Sequence, residues 1–515
     1  MRVSFEVKSS DLMGRIGRLE LNGKNLETPI FLPVVHPYKQ EIPATRIKEM
    51  GFDAVITNSY ILYKRLASQA RERGLHSLVG FDGIIMTDSG GYQMLEYGDL
   101  EIAPEEIALF QQDIGSDIAV ILDRPTGKNA SYEHAKETVK FTIDSARRSL
   151  NVVNRKGTAW VGPIQGGEHD RLVKYSAKEM ADMGFDWFAL GSPVELMNNY
   201  DFAALARMIN VTRSVLPIEK PLHLFGAAHP LTMGLSVALG CDIFDSASYI
   251  LFAKRGSYMT LHGSRKLEEM SYLPCSCPVC NTGLNNLLDM GHKELAENLA
   301  IHNLYVLKME LNLIKEAIKE GRLWEYIMEK GRSHPAAFEA TRYISRISGT
   351  GHLLDNGTPF FKERALFLFD ETDLTRPEIR RHREYLVRRK PMHDRVIIIL
   401  PRNFDEFTFK RAEELVKLLP SIKADVFLAV PFLGLVPIEL HDVYPLSQST
   451  IRSSYQRADL RLIRAVIGKY EDAQVVYHES RAGIAKRLAG IPALKKMDNA
   501  DFYRFIQLNY TSKYK

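Results

Sequence analysis

Residues 84–91 read IIMTDSGG. Four apolar or β-branched residues run straight into Asp88, and Asp-Ser-Gly-Gly then supplies good turn chemistry. Outward from this stretch the same pattern recurs. TPIFLPVV (28–35) and DAVITNSY (53–60) precede it, and DIAVILDRP (117–125), WVGPIQGG (160–167), WFALGSP (187–193), PLHLFGAA (221–228) and CDIFDSAS (241–248) follow. Most of these runs are apolar on both faces, as expected of parallel strands covered on both sides. Helical patterns lie between them. YEHAKETVKFTIDSARRSL and DRLVKYSAKEMADMG carry apolar residues at three- and four-residue spacing, and PEEIALFQQDIG opens with proline and acids as a helix N-terminus should. Eight strand–helix units in about 250 residues predict an α/β fold, a TIM (β/α)8 barrel. A doubly wound sheet is the competing architecture, but it calls for a glycine-rich phosphate turn after its first strand. Here that strand ends in VVHPYKQ.

Composition agrees with an ordinary globular protein. The chain has 515 residues, 45% hydrophobic and 25% charged, enough for two to four domains. No apolar run approaches the ~18 residues of a membrane span, and the alternating N-terminus MRVSFEVKSSDLMGRIGRLEL lacks a signal-peptide core. A cytoplasmic location with no membrane partner is the expectation. Charge is distributed unevenly: residues 351–515 hold 28 Lys+Arg against 21 Asp+Glu, and the first 350 hold 39 against 42. A basic appended module hints at an anionic partner such as nucleic acid, although a solvated basic face reads the same way.

Barrel active sites sit at the C-terminal ends of the strands. Those ends carry Asp88, Asp123, Gln165 with Gly166 and Gly167, Gly191, Phe225 with Gly226, and Asp245. A lone aspartate is usually a loop cap. Three carboxylates on one closed rim repel one another unless a ligand or a shared proton compensates. Two such aspartates can flank a glycosidic carbon, one as nucleophile and one as acid or base. A third, with a glutamine, suits the hydrogen-bonding edge of a purine. Nearby glycines let backbone approach the base, and Tyr92 offers a face for stacking.

PCSCPVC places Cys275, Cys277 and Cys280 within reach of one ion, and zinc is the default for a thiolate-rich site completed by a nitrogen. His292 and His302 both follow, and spacing does not choose between them. Three cysteines and a histidine leave no open position, so the expected role is structural. Cys241, alone on the eighth strand, reads as a small core residue.

Together TDSGGYQ, IQGG, FDSASY and CSCPVC…H resemble the tRNA-guanine transglycosylases, over about residues 1–345. The surroundings of the second aspartate and FLGLVPIELHDVYPLSQS (432–449) resemble the archaeal branch that begins archaeosine synthesis. The resemblance implies exchange of guanine at position 15, in the D arm of tRNA, for 7-cyano-7-deazaguanine. It makes Asp245 the nucleophile that holds the ribose covalently, and Asp88 an acid/base or positioning group. Asp123, Gln165 and Gly191 match residues that contact the base, Tyr92 the aromatic that stacks on it, and Ser89 lies beside them. It selects His302, which precedes an asparagine, as the fourth ligand of one structural zinc per chain, and it implies a homodimer. A paralogue acting later in archaeosine formation and a barrel glycoside hydrolase are the competing functions. Retention of both Asp88 and Asp245 argues against the former, and the cysteine cluster and basic extension against the latter.

The expected organisation is a catalytic barrel over 1–345 with a zinc subdomain at about 262–310, a basic connecting segment at 346–392, and an accessory α/β RNA-binding region over 393–515, an α+β C-terminal extension. In the connecting segment PEIRRHREYLVRRK (377–390) sets six Lys/Arg around a tyrosine, which suits phosphate contact or an exposed linker helix equally. No glycine-punctuated strand pattern of a terminal PUA (pseudouridine-synthase and transglycosylase) domain follows GIPALKKMDNADFYRF, so a separate PUA-domain protein is a candidate partner.

Overall fold

The computed structural model describes residues 3–91, 102–350, 353–360, 362, 366–400, 423–440, 443, 449–451, 454–477 and 481–488. The chain divides into two compact units, Met1–Ile344 with Leu353–Gly357, and Ser345–His352 with Thr358–Lys515.

The first unit begins with an antiparallel meander, β1 (Ser4–Asp11), β2 (Gly14–Leu21) and β3 (Lys24–Thr28). All eight apolar runs are strands: β4 (Ile30–Pro33), β5 (Ala54–Asn58), β6 (Ile84–Asp88), β7 (Ile118–Val120), β8 (Ala159–Ile164), β9 (Trp187–Leu190), β10 (Leu222–Leu224) and β11 (Ile243–Ser246). They pair in parallel in sequence order from β5 to β11, and β11 pairs with β4. The ring closes where Val34 bridges Ile56 and the Val35 N–H donates to the Ile56 carbonyl at 2.8 Å. The fold is therefore a TIM barrel.

Inward-facing residues alternate along every strand. One buried cluster contains Leu32, Ala54, Ile56, Ile84, Met86, Ile118, Val120, Ala159, Val161, Trp187, Ala189 and Ile243. Leu19, Leu21 and Leu26 of the meander join it. Because side chains alternate with period two, the same parity continued toward the strand C-termini reaches Asn58, Asp88, Gln165, Gly191 and Asp245. Outside the strands run helices such as Pro104–Asp113, with proline in its first turn beside Glu105 and Glu106, and Tyr132–Val152, which buries Ala135, Val139, Ile143 and Ala146 on one stripe. After the barrel come a hairpin, β12 (Ser257–Thr260) with β13 (Gly263–Lys266), and the long helix His292–Lys319. Among the described residues no helix is long and apolar enough to cross a membrane.

The second unit contains β14 (Leu366–Leu368), β15 (Arg395–Leu400), β16 (Asp425–Val430), β17 (Gly434–Pro437), β18 (Ser449–Ile451) and β19 (Asp472–Tyr477). A mixed sheet has the order β17-β16-β15-β19, in which β16 and β19 run parallel to β15 and β17 turns back on β16. Val396 and Ile398 pack into one cluster and Ile397 into another, so both faces are covered. DEFTFKRAEELVKLL, whose apolar spacing reads as a helix between two strands, lies outside the described residues, as does everything after Leu488.

The basic segment is integral to this unit. Its helix, Pro377–Arg388, buries Ile379 in one cluster and Leu386 in the other. Its arginines largely serve the fold. Arg380 pairs with Glu384 at 2.6 Å, Arg381 donates to the Thr358 and Pro359 carbonyls, and Arg389 pairs with Glu439 at 2.8 Å. Arg383 donates to the Phe432 carbonyl and to Asp459, both at 2.7 Å. Apart from Glu384, one turn along the same helix, these partners lie 22 to 76 residues away, so a charge count along the sequence cannot reveal this.

Candidate active site and metal centre

The rim is built by strand ends. Asn58 closes β5 and caps the following helix, its Oδ1 accepting the Ile61 N–H at 2.9 Å. That bond orients the amide, so Nδ2 faces across the ladder to Asp88, its in-register neighbour, and donates to Asp88 Oδ2 at 2.9 Å. The Ser59 hydroxyl donates to the Asp88 carbonyl at 2.7 Å. Burial pushes the Asp88 carboxyl up to about 7, with help from the charges of Asp123 and Asp245 and against the donors Gly90 N–H and Asn58. A group that exchanges a proton near neutral pH results.

Asp123 is buried at 5% exposure and lies beside Gln165. Gln165 Nε2 donates to Asp123 Oδ2 at 2.6 Å. Gln165 Oε1 accepts from the Thr126 N–H at 3.1 Å and the Ser192 hydroxyl at 2.9 Å. With the oxygen so identified, the nitrogen end must be the one on Asp123. Burial raises the Asp123 carboxyl to about 6, against the Gln165 bond. Ser192 has a left-handed backbone (φ 63°), a strained state for serine that its hydroxyl bonds to Gln165 and the Thr126 N–H help hold.

Two glycines make room for this pair. A Cβ on Gly91 would fall 2.2 Å from Asp123 Oδ1, and one on Gly191 would fall 2.1 Å from Gln165 Nε2. The sequence suggests glycines that admit the base. In the folded barrel these two admit the side chains of Asp123 and Gln165, and the Gly191 N–H donates to the Ile164 carbonyl at 3.0 Å. Ser89 is fully buried, its hydroxyl donating to the Ile121 carbonyl at 3.1 Å. Tyr92 lies outside the described residues.

Asp245, on β11, is 7% exposed. Its Oδ1 accepts the Gly226 N–H at 3.0 Å and lies 2.8 Å from His223 Nε2. Motif reading passes over His223, Asn58 and Thr126. The alternation of PLHLF and DAVITN holds the signal for the first two, since each falls on the inward parity of its strand.

The cysteine cluster closes as a second centre. The ligand atoms of Cys275, Cys277, Cys280 and His302 all lie within 4.8 Å of one another. Tetrahedral ligands at about 2.0–2.3 Å from an ion stand roughly 3.5–3.8 Å apart, so the group can hold one metal ion. His302 Nε2 donates to the Met259 carbonyl at 2.9 Å, which leaves Nδ1 facing Cys277 and Cys280 at 3.5 and 3.3 Å. Tyr258 stacks on the ring with centroids 3.7 Å apart. Asn303 ties the helix to the hairpin by accepting the Met259 N–H and donating to the Tyr249 carbonyl, at 2.9 and 3.0 Å. His292 is exposed at the start of the same helix, almost three turns away, and stands outside the cluster. Cys241 is buried, and burial holds its thiol well above its ordinary titration range.

A family model described as queuine tRNA-ribosyltransferase matches residues 10–336. The tRNA-guanine(15) transglycosylase of Sulfolobus acidocaldarius is 40% identical over 460 residues, covering 88% of this chain and 90% of that protein. The protein of that name from Saccharolobus solfataricus is 41% identical over 459 residues, covering 87% and 90%. The one from Methanocaldococcus jannaschii is 40% identical over 458 residues, covering 87% and 68%. With the barrel, the three rim carboxylates and the Cys3His group in place, the chain belongs to the queuine tRNA-ribosyltransferase family, the tRNA-guanine transglycosylases.

Proposed function

We propose that this chain exchanges guanine at position 15 of tRNA for 7-cyano-7-deazaguanine, the first tRNA-level step of archaeosine synthesis. The observation that carries the reading is the convergence of Asp88, Asp123 and Asp245, with Gln165, on the C-terminal rim of one barrel. In this mechanism an Asp245 oxygen attacks the ribose C1′, and the C1′–N9 pair leaves with guanine. Asp88, poised near neutrality, delivers the proton that the departing base takes up. The incoming base returns that proton and attacks C1′, and the ester pair goes back to Asp245. Protons and charge balance without another reactant. Asp123, as a carboxylate, accepts from the two donors on the guanine edge, with Gln165 fixing its orientation and Gly191 clearing the space. Tyr92 stacks on the base, and Ser89 shapes the floor through the Ile121 backbone.

The target base must leave the RNA stack to reach the rim, so the tRNA opens locally on binding. Cys275, Cys277, Cys280 and His302 would hold one zinc ion, and four protein ligands would leave it no open position for catalysis. Its contribution is to fasten the hairpin and long helix beside the barrel. The proposed context is a cytoplasmic homodimer, with the second unit as an accessory RNA-binding region.

The test is release of labelled guanine from tRNA in the presence of 7-cyano-7-deazaguanine. No release by the wild-type protein refutes the exchange reading. Asp245→Ala is expected to abolish both release and the covalent RNA adduct.

A further inference from the structure

His223 is the middle residue of β10, in register with Ala189 on β9 and Ile243 on β11. Both neighbours belong to the interior cluster, so the imidazole lies inside the barrel, one layer below the rim. It is fully buried. Its Nε2 stands 2.8 Å from Asp245 Oδ1, and its buried Nδ1 has no hydrogen-bond partner among the described residues. The Phe225 ring packs edge-on at 4.7 Å. A polar ring inside an apolar barrel layer, bonded among the described residues through one carboxylate oxygen, is poorly explained by packing alone. A carboxylate only accepts, so the proton of the pair sits on Nε2, a tautomer assigned from the network. Asp245 Oδ1 thus receives two donors, His223 Nε2–H and Gly226 N–H.

We infer that His223 is a positioning residue for Asp245, anchoring Oδ1 together with the Gly226 N–H so that Oδ2 is the oxygen that bonds ribose. The inference rests on the reading of Asp245 as nucleophile. Oδ2 forms its bond to C1′ as the C1′–N9 bond breaks and its pair leaves with the base, which takes up a proton. Oδ1 is then the carbonyl oxygen of the ester. In the second half the incoming base loses its N9 proton and bonds C1′, while the C1′–Oδ2 pair returns to the carboxylate. Negative charge grows again on Oδ1 during that step. Two fixed donors there favour ester breakdown, because hydrogen bonds to a developing anion are the strong ones.

The experiment uses the full chain, in vitro transcribed tRNA, labelled guanine and 7-cyano-7-deazaguanine, with the adduct resolved on denaturing gels. In His223→Asn the side-chain amide is too short to reach Asp245 Oδ1. The expected result is a roughly 10- to 100-fold fall in kcat with tRNA KM within about twofold, and a larger share of enzyme trapped as adduct at steady state. His223→Gln, whose Nε2 replaces the ring donor, is expected to restore kcat to within about threefold and the wild-type adduct share. A purely structural histidine predicts instead that kcat and adduct fall together and that glutamine rescues neither, and that outcome overturns the inference. So does wild-type behaviour of His223→Asn. If His223→Asn does not fold, His223→Gln decides alone: wild-type partition supports the role, and a folded, inactive variant overturns it. Asp245→Ala separates the two levels. An adduct that persists there removes Asp245 as nucleophile, whereas its loss beside an indifferent His223→Asn removes only the positioning role.

Discussion

Gly191→Ala perturbs base recognition without touching a charged group. The added methyl would stand 2.1 Å from Gln165 Nε2, 2.8 Å from its Cδ and 3.2 Å from its Oε1. The amide must retreat by about an ångström or more to reach ordinary van der Waals distance. Retreat breaks the 2.6 Å bond to Asp123 and the bonds at 3.1 and 2.9 Å from Thr126 and Ser192. The first is charge-assisted and worth about 1.5–3 kcal/mol, and each neutral one about 0.5–1.5 kcal/mol. With partial recovery through other partners, about 3 kcal/mol of base recognition is lost, or roughly a 10²-fold rise in KM for 7-cyano-7-deazaguanine. tRNA KM should stay within about threefold. The Gln165 bond now holds the Asp123 carboxyl down against burial. Its loss moves that titration upward from about 6, so base KM in the variant should keep improving to a higher pH than in wild type. Steady-state exchange assays across pH measure both effects. Gln165→Ala removes the clashing amide, so Gly191→Ala added to it should do almost no further harm. A Gly191→Ala enzyme with wild-type base KM, or a double variant much worse than Gln165→Ala, refutes the packing argument.

Asp88→Asn should change stability as well as activity. The unfolded carboxyl titrates near 3.9 and the folded one at about 7, so the native state holds the extra proton and wild-type stability declines as pH rises between those values. That decline, up to roughly 4 kcal/mol for three pK units, is absent in Asp88→Asn. The variant should melt higher than wild type at pH 8 and alike at pH 4, and equal melting at both ends contradicts the raised titration. For the metal centre, Cys277→Ser should lose one equivalent of bound zinc while His292→Ala keeps it, measured by elemental analysis. Asn303→Ala should weaken metal affinity about 10- to 100-fold, since it releases the strand that carries the His302 acceptor. In the second unit, Lys362, Arg376 and Glu378 are all buried, and both cations lie on the Glu378 carboxylate. Burial pushes that carboxyl up, but the two cations outweigh it and hold it well below its ordinary range. Glu378→Gln should destabilise the unit by about 3–5 kcal/mol in denaturant unfolding, and a loss under 1 kcal/mol shows that the cations find other solvation.

The second unit shows how far local reading reaches. RVIIIL and ADVFLAV are legible as strands from composition, and RADLRLIRAVI as a helix from its apolar spacing. The use of the arginines in PEIRRHREYLVRRK is not legible, because their partners Phe432, Glu439 and Asp459 arrive only when the sheet assembles. The metal centre divides in the same way. Cysteine spacing announces the site and the family resemblance names His302, but the spacing alone does not separate it from His292; the physical reason appears only when the helix lies against the hairpin, where the Met259 carbonyl sets the tautomer.

By itself the sequence determined the eight strands, their alternation and the presence of Asp88, Gln165 and Asp245 at strand ends, because side-chain direction in a strand follows from period two alone, whereas Asp123 stands off that parity, three residues past the end of β7. Closure of the barrel decided the rest. It set Asn58 against Asp88 and His223 against Asp245, and it turned Gly91 and Gly191 into clearances for neighbouring side chains. Each of those relations depends on two or more segments reaching hydrogen-bonding distance, a property of register and ring closure that no single stretch of chain contains.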